Sequence, residues 1–427
     1  MRRNSIRLLP ALFLTAASTS SPAQSPPAPL PPKAQAWIDV ATFSGFGAGV
    51  PGGGNPLSML GALMGAGSEA RNTFGQTQTL SSGRWVDATL RVAAQPQLAE
   101  AHWSVPASFM TPALKMQSPR DARVLPEPER EPEELPREVE RPRGRMLLYW
   151  GCDAKVRQGQ PRVLDFASAD LQDLQRFFVS RSATGRGAHA SPGRPLWPSR
   201  DDPRMVPAQA SLVGEHAFSA PGVPENFRFT LPAAQDLMPA LALRQQPSAA
   251  GATDLSWNDL PTARAYFAAV MGMNAKEEMV LWTSSEVPET GMALADYQTN
   301  AAVDRWLREK VLMAPQVTRC TVPSGILPAD GGGMLRLVAY GSELNLVHPP
   351  RPKDPQVRWE PDWAVKVRVK SLATAMLGMP DPAAEAGGTE GKEASGQGTP
   401  EKADKAPKQE KQEKPKALDL LRGILGR

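Results

Sequence analysis

The chain has 427 residues, of which 44 are Pro and 35 are Gly, nearly a fifth of the whole against a usual share of about 12 %. Gly without a three-residue period excludes collagen, 10 Trp, 12 Phe and 16 Met supply bulk for a real core, and Pro is too frequent for a bundle of long helices. The formal charge is only +4, and three of the basic residues are Arg2, Arg3 and Arg7, so it argues against a nucleic-acid footprint.

Those arginines precede the apolar run Leu8–Ala17, and Ser21-Pro22-Ala23 offers a small-x-small exit before Gln24. The pattern reads as a secretory signal peptide over residues 1–23. The competing reading is a short buried or membrane helix, but the run is about half of a membrane span. Loss of the segment leaves a nearly neutral chain. No later window is apolar enough for a transmembrane span, so the expected destination is the periplasm or the exterior. Residues 24–120 form a Pro/Gly-rich N-terminal region. They open on a polyproline-like spacer, carry a Gly- and Met-rich run from Ser44 to Ser68, and contain strand candidates at Ala36–Thr42, Arg84–Val92 and His102–Val105. The first two echo one another, each reading Trp, β-branched residue, Asp.

Residues 121–145 mix charge with repeated Pro and read as an exposed linker. A β-rich domain is expected over 146–249. Its signals are Met146–Cys152, a hairpin partner at Arg162–Phe166, a helix over Asp170–Phe178 capped by Ser168, a strand at Phe227–Leu231 and another at Met238–Leu243. A second, sandwich-like domain is expected over 250–371. It holds apolar runs at 279–284 and 334–340, helical spacing from Asn300 to Val311, and Trp363–Val369, where apolar and basic residues alternate. That alternation predicts an edge strand with Lys and Arg on an open face. Residues 372–416 are poor in bulk and rich in balanced charge, and read as a disordered tail. Residues 417–427 then put Leu418, Leu421, Ile424 and Leu425 on one face of a short amphipathic helix. Such a helix suits partner docking, or folding back onto its own domain.

Leu255-Ser256-Trp257, followed by Pro261-Thr262-Ala263 and Tyr266, resembles the passage between two strands of a fibronectin type III or immunoglobulin-like module, over about residues 253–285. The resemblance implies a seven-strand sandwich with a core Trp and Tyr, and a binding or spacing role. The fold class expected overall is therefore mainly β: two β-sandwich-like domains, short helical insertions, Pro/Gly-rich linkers and a disordered C-terminal tail.

Catalytic constellations are missing from the sequence. No His has another His four residues on, no Gly-x-Ser-x-Gly frame occurs, and the sole Gly-Lys pair precedes Glu393. No cofactor or metal site is expected. Glu277, Glu278, Glu286, Glu289 and Asp296 could supply paired carboxylates or be solvated loop acids. Trp282, Trp306, Trp359 and Trp363 could form a glycan platform or pack in the core. Cys152 and Cys320 could pair in an oxidising compartment or remain buried thiols. The expectation is an exported, non-catalytic cell-envelope protein that binds or scaffolds. The alternatives are a glycan-binding or glycan-processing protein, and a surface or secretion factor docking an envelope partner through its C-terminal helix.

Overall fold

Alternating apolar and polar residues, punctuated by Pro and Gly, dictate strands, and among the described residues strands far outnumber helices. In the computed structural model, residues 28, 30–45, 71–79, 81–110, 113–119, 144–179, 181, 183–248, 251–328, 332–354 and 356–378 are described. The elements in order are β1 (Ala34–Gly45), β2 (Gly83–Val92), β3 (Glu100–Ser104), β4 (Ala113–Gln117), β5 (Arg145–Trp150), β6 (Arg162–Asp165), α1 (Leu171–Phe177), β7 (Leu196–Trp197), β8 (Gly214–Ser219) and β9 (Arg228–Leu231). They continue with β10 (Arg244–Pro247), β11 (Thr253–Ser256), β12 (Ala265–Met273), β13 (Met279–Thr283), α2 (Asn300–Arg308), β14 (Arg319–Val322), β15 (Gly333–Tyr340), β16 (Leu344–His348) and β17 (Trp363–Leu377). The protein is mainly β, as its sequence implies.

Fourteen strands form one sheet, in the order β6-β5-β13-β12-β15-β17-β1-β2-β7-β4-β3-β8-β9, with β16 added to β17. A smaller sheet runs β10-β11-β14. Strands from the 24–120, 146–249 and 250–371 segments interleave in the large sheet. β5 lies parallel to β13, and β1 lies parallel to β17 along its whole length.

Side chains alternate across a strand, and the two faces of the β1–β17 seam differ. On one face Ile38, Val40, Val367 and Val369 enter the main core, where Leu255, Trp257 and Val322 come in from the small-sheet side. On the other face Ala41, Phe43 and Leu372 pack with Trp85, Phe267, Tyr340 and the α2 residues Val303 and Trp306. α2 begins at Thr299, whose side chain accepts from Ala302 N, which satisfies one of the donors every helix start leaves open.

Four local expectations change. Residues 372–377, read as the start of the tail, are the end of β17 and pair with β15. α1 is capped by Asp170, not Ser168: Asp170 and Asp173 exchange side-chain and backbone hydrogen bonds in a capping box. Residues 238–243 join no ladder. Their carbonyls accept instead from side chains of the large sheet: Thr42 Oγ1 to Met238 O (2.7 Å), Ser44 Oγ to Leu241 O (2.8 Å) and Ser371 Oγ to Pro239 O (3.0 Å). The strand read as an edge, 363–369, belongs to the centre of the sheet, with β1 on one side and β15 and β16 on the other. Its basic side chains do not face open solvent: Arg368 is 4 % exposed and Lys370 3 %.

Candidate functional site

Three strands carry ionisable groups into register at the middle of the sheet. Arg368 of β17 lies opposite Asp39 of β1, and Asp39 lies opposite Asp87 of β2. All three are buried. A buried charge is tolerated only when paired and hydrogen-bonded; Asp39 is both, and Asp87 is held by hydrogen bonds alone. Arg368 Nε donates to Asp39 Oδ1 (2.7 Å) and Nη2 to Oδ2 (2.6 Å), the planar fork that suits a carboxylate. The remaining Arg368 nitrogen, Nη1, donates to Gly185 O (2.8 Å), and Ala188 N donates to Asp39 Oδ2 (3.0 Å). The pair thereby ties the 183–189 loop down over the sheet. That approach requires glycine at 187, because a Cβ there would overlap both the Arg368 guanidinium and the Asp39 carboxylate. Burial pushes the Asp39 carboxyl up from its ordinary value, against the pull of Arg368.

Asp87 fastens a second loop. Its Oδ1 accepts from Gly75 N (2.9 Å), and its Oδ2 accepts from Thr77 N (3.1 Å) and Thr77 Oγ1 (2.5 Å). Burial raises its pKa to about 6, with those hydrogen bonds opposing. Lys370, one turn of the pleat beyond Arg368, contacts Asp296 Oδ1 at 3.4 Å and lies 4.2 Å from the Tyr297 ring. Arg368 sits over the same ring at 4.3 Å, and the Tyr297 hydroxyl donates to Val40 O (3.0 Å). Burial pushes the Lys370 ammonium down, with Asp296 opposing, and holds the Tyr297 phenol well above its ordinary value. Cations over an aromatic face gain from its quadrupole, the more so when desolvated.

The candidates named from sequence fall elsewhere. Trp282, Trp306 and Trp363 are 0 %, 5 % and 6 % exposed and belong to core packing. Trp282 Nε1 donates to Gly151 O (3.0 Å), and Trp363 stacks on Phe227 with centroids 5.0 Å apart. Trp359 alone of the four is partly exposed; its Nε1 donates to Pro349 O (3.0 Å), with Arg351 at 5.8 Å from the ring. Cys152 and Cys320 form a disulfide with Cα atoms 4.9 Å apart, joining the segment after β5 to β14 of the small sheet.

The five acids are dispersed. Glu278 pairs with Arg145 (2.8 Å) and Glu286 with Arg157 (2.9 Å), while Glu277 is exposed. Glu289 is no solvated loop acid: it is 1 % exposed, paired with Arg181 Nη1 (2.8 Å) and accepting from Gly291 N (3.0 Å). Leu418, Leu421, Ile424 and Leu425 lie outside the described residues, as do the signal segment and the 121–143 linker. Among the described residues, no helix is long and apolar enough to cross a membrane and no cluster of His, Cys, Asp or Glu is grouped to hold a metal ion.

The charged centre escaped the sequence reading, yet it had a signal. Asp39 and Asp87 stand mid-strand in otherwise apolar runs, and an acid in that position implies a buried partner. No family model matches the chain, and no curated protein matches it either.

Proposed function

We propose that the protein is an exported cell-envelope module that acts by binding or scaffolding rather than by catalysis. The observation that carries this reading is the Cys152–Cys320 disulfide. Such bonds form and persist in oxidising compartments, which agrees with the signal-like segment at residues 1–23. The central carboxylates support a non-catalytic role: both oxygens of Asp39, Asp87 and Glu289 are committed to arginines or to backbone N–H groups that hold loops in place.

The likeness to fibronectin type III modules also gains support from topology. β10, β11 and β14 in one sheet and β13, β12, β15 and β17 in the other make seven strands, with Trp257 and Tyr266 in contact at 5.5 Å between ring centroids. Sandwiches of this kind serve as rigid platforms with loops at their ends. The glycan-platform reading now rests on Trp359 and Arg351 alone.

Fractionation and mass analysis of the protein produced in its native setting test the proposal. The expected product starts at Gln24, sits outside the cytoplasm, and shows no alkylatable thiol until reduced. A cytoplasmic chain that keeps residues 1–23 and alkylates at both cysteines would overturn it.

A further inference from the structure

One group of charges near the seam lacks the compensation that Asp39 and Asp87 enjoy. The loop that Arg368 ties down continues through Arg186 and His189 to Arg194. Arg186 Nη2 donates to His189 Nε2 (2.9 Å), and Arg194 Nη1 donates to the same nitrogen. His189 Nδ1 lies 2.9 Å from Gly187 O and donates to it, since a carbonyl can only accept. The imidazole is thus a neutral acceptor clamped between two guanidinium groups, and burial together with those two cations pushes its pKa down.

Arg194 is only 8 % exposed and stacks on Trp37 at 4.8 Å. Arg91 of β2 is exposed and falls on the same face of the sheet as Trp37, opposite Gln35. Burial lowers the Arg194 pKa, and the fields of Arg186 and Arg91 lower it further. Among the described residues none of these three arginines forms an ion pair with a carboxylate. Asp39 lies close enough for its charge to act on His189, but it is already held by Arg368 and Ala188 N.

Two guanidinium groups meet on one imidazole, one of them buried, with a third arginine on the same face of the sheet and no carboxylate among the described residues paired to any of them. It is the arrangement that binds a multiply charged oxyanion, because guanidinium forks match phosphate oxygens in pairs. We infer that Arg91, Arg186 and Arg194, oriented by His189 and Trp37, form a binding site for a phosphate group. The group would be borne by an envelope glycan or by a glycerol-phosphate headgroup. The inference rests on the binding-module reading and supplies its ligand chemistry.

The test is isothermal titration of the purified, oxidised protein with inorganic phosphate, at fixed ionic strength in chloride. Saturable binding near one site per chain is expected. It should weaken at least tenfold in Arg186→Ala and in Arg91→Ala, whose side chains are exposed enough to leave folding intact. Arg228→Ala, which removes an exposed ion pair on β9, should bind like the parent. Tighter binding of glucose 1-phosphate or of glycerol 3-phosphate than of free phosphate supports the site and names the source. Absence of saturable binding, or equal binding by the parent and both arginine variants, overturns the inference. That failure is separable from failure of the proposed function, which is read from compartment and thiol state.

Discussion

The two faces of the β1–β17 seam are built from alternate residues of the same two strands, yet they are held by different forces. Ile38, Val40, Val367 and Val369 on one face contribute by removal from water and by close packing. Asp39, Arg368 and Lys370 on the other lie just as deep and contribute through directed contacts. The apolar face is forgiving about partners and sensitive to volume. The charged face demands partners, and at Gly187 it too leaves no room for added volume. A buried ion pair need not add net stability, yet breaking it leaves one charge stranded.

Four experiments bear on this contrast. The largest effect is expected from Arg368→Ala, which strands the Asp39 carboxylate and frees the 183–189 loop. A loss of about 3–5 kcal/mol in urea unfolding is expected. The double change Asp39→Leu with Arg368→Met should cost much less, and equal losses would erase the distinction between the faces. Next, Ile38→Ala on the apolar face should cost about 3 kcal/mol by loss of buried area and a residual cavity, with no rescue from any second polar change. Cys320→Ser probes the link between the sheets. It should lower stability by about 2–4 kcal/mol, with little change in the spectroscopic signature of the native state.

The last effect is a pH dependence. The Asp87 carboxyl has a folded pKa of about 6 against an ordinary 3.8, so the native state holds the proton more tightly than the unfolded chain. Its contribution is fully present below about pH 4 and is lost as pH rises through 6, on the order of 3 kcal/mol. Asp87→Asn should flatten that part of the stability profile. An unchanged slope would show that the Gly75–Thr77 turn does not sense this carboxyl.

Much of the strand content was legible because it follows from local alternation. β1, β2, β5, β12, β13 and β15 all sit on runs of β-branched and aromatic residues. The order of the strands was not legible, because nothing in Trp363–Val369 says that its neighbour lies 329 residues earlier. The Lys and Arg of that segment looked like a solvated face, since alternation alone cannot distinguish water from a buried partner. The β4, β7, β8 and β14 segments carry weak periodic signals and are strands through pairing rather than propensity. Trp282, Trp306 and Trp363 were ambiguous for the same reason: an indole suits both a core and a sugar, and burial decides. The cysteines were the easiest long-range pair to see, because two sulfurs in one chain leave one possible bond.

The parallel seam of β1 and β17 also joins segments far apart in sequence. Its two halves enter the world at opposite ends of synthesis, separated by nearly the whole described chain, and contacts so distant in sequence form slowly. Until the last long strand arrives, Asp39 has no cation and one edge of β1 stays bare. A shortened chain lacking 363–377 would therefore advertise its incompleteness to proteases and chaperones. A full-length one conceals both defects in a single step, when β17 pairs along the whole of β1.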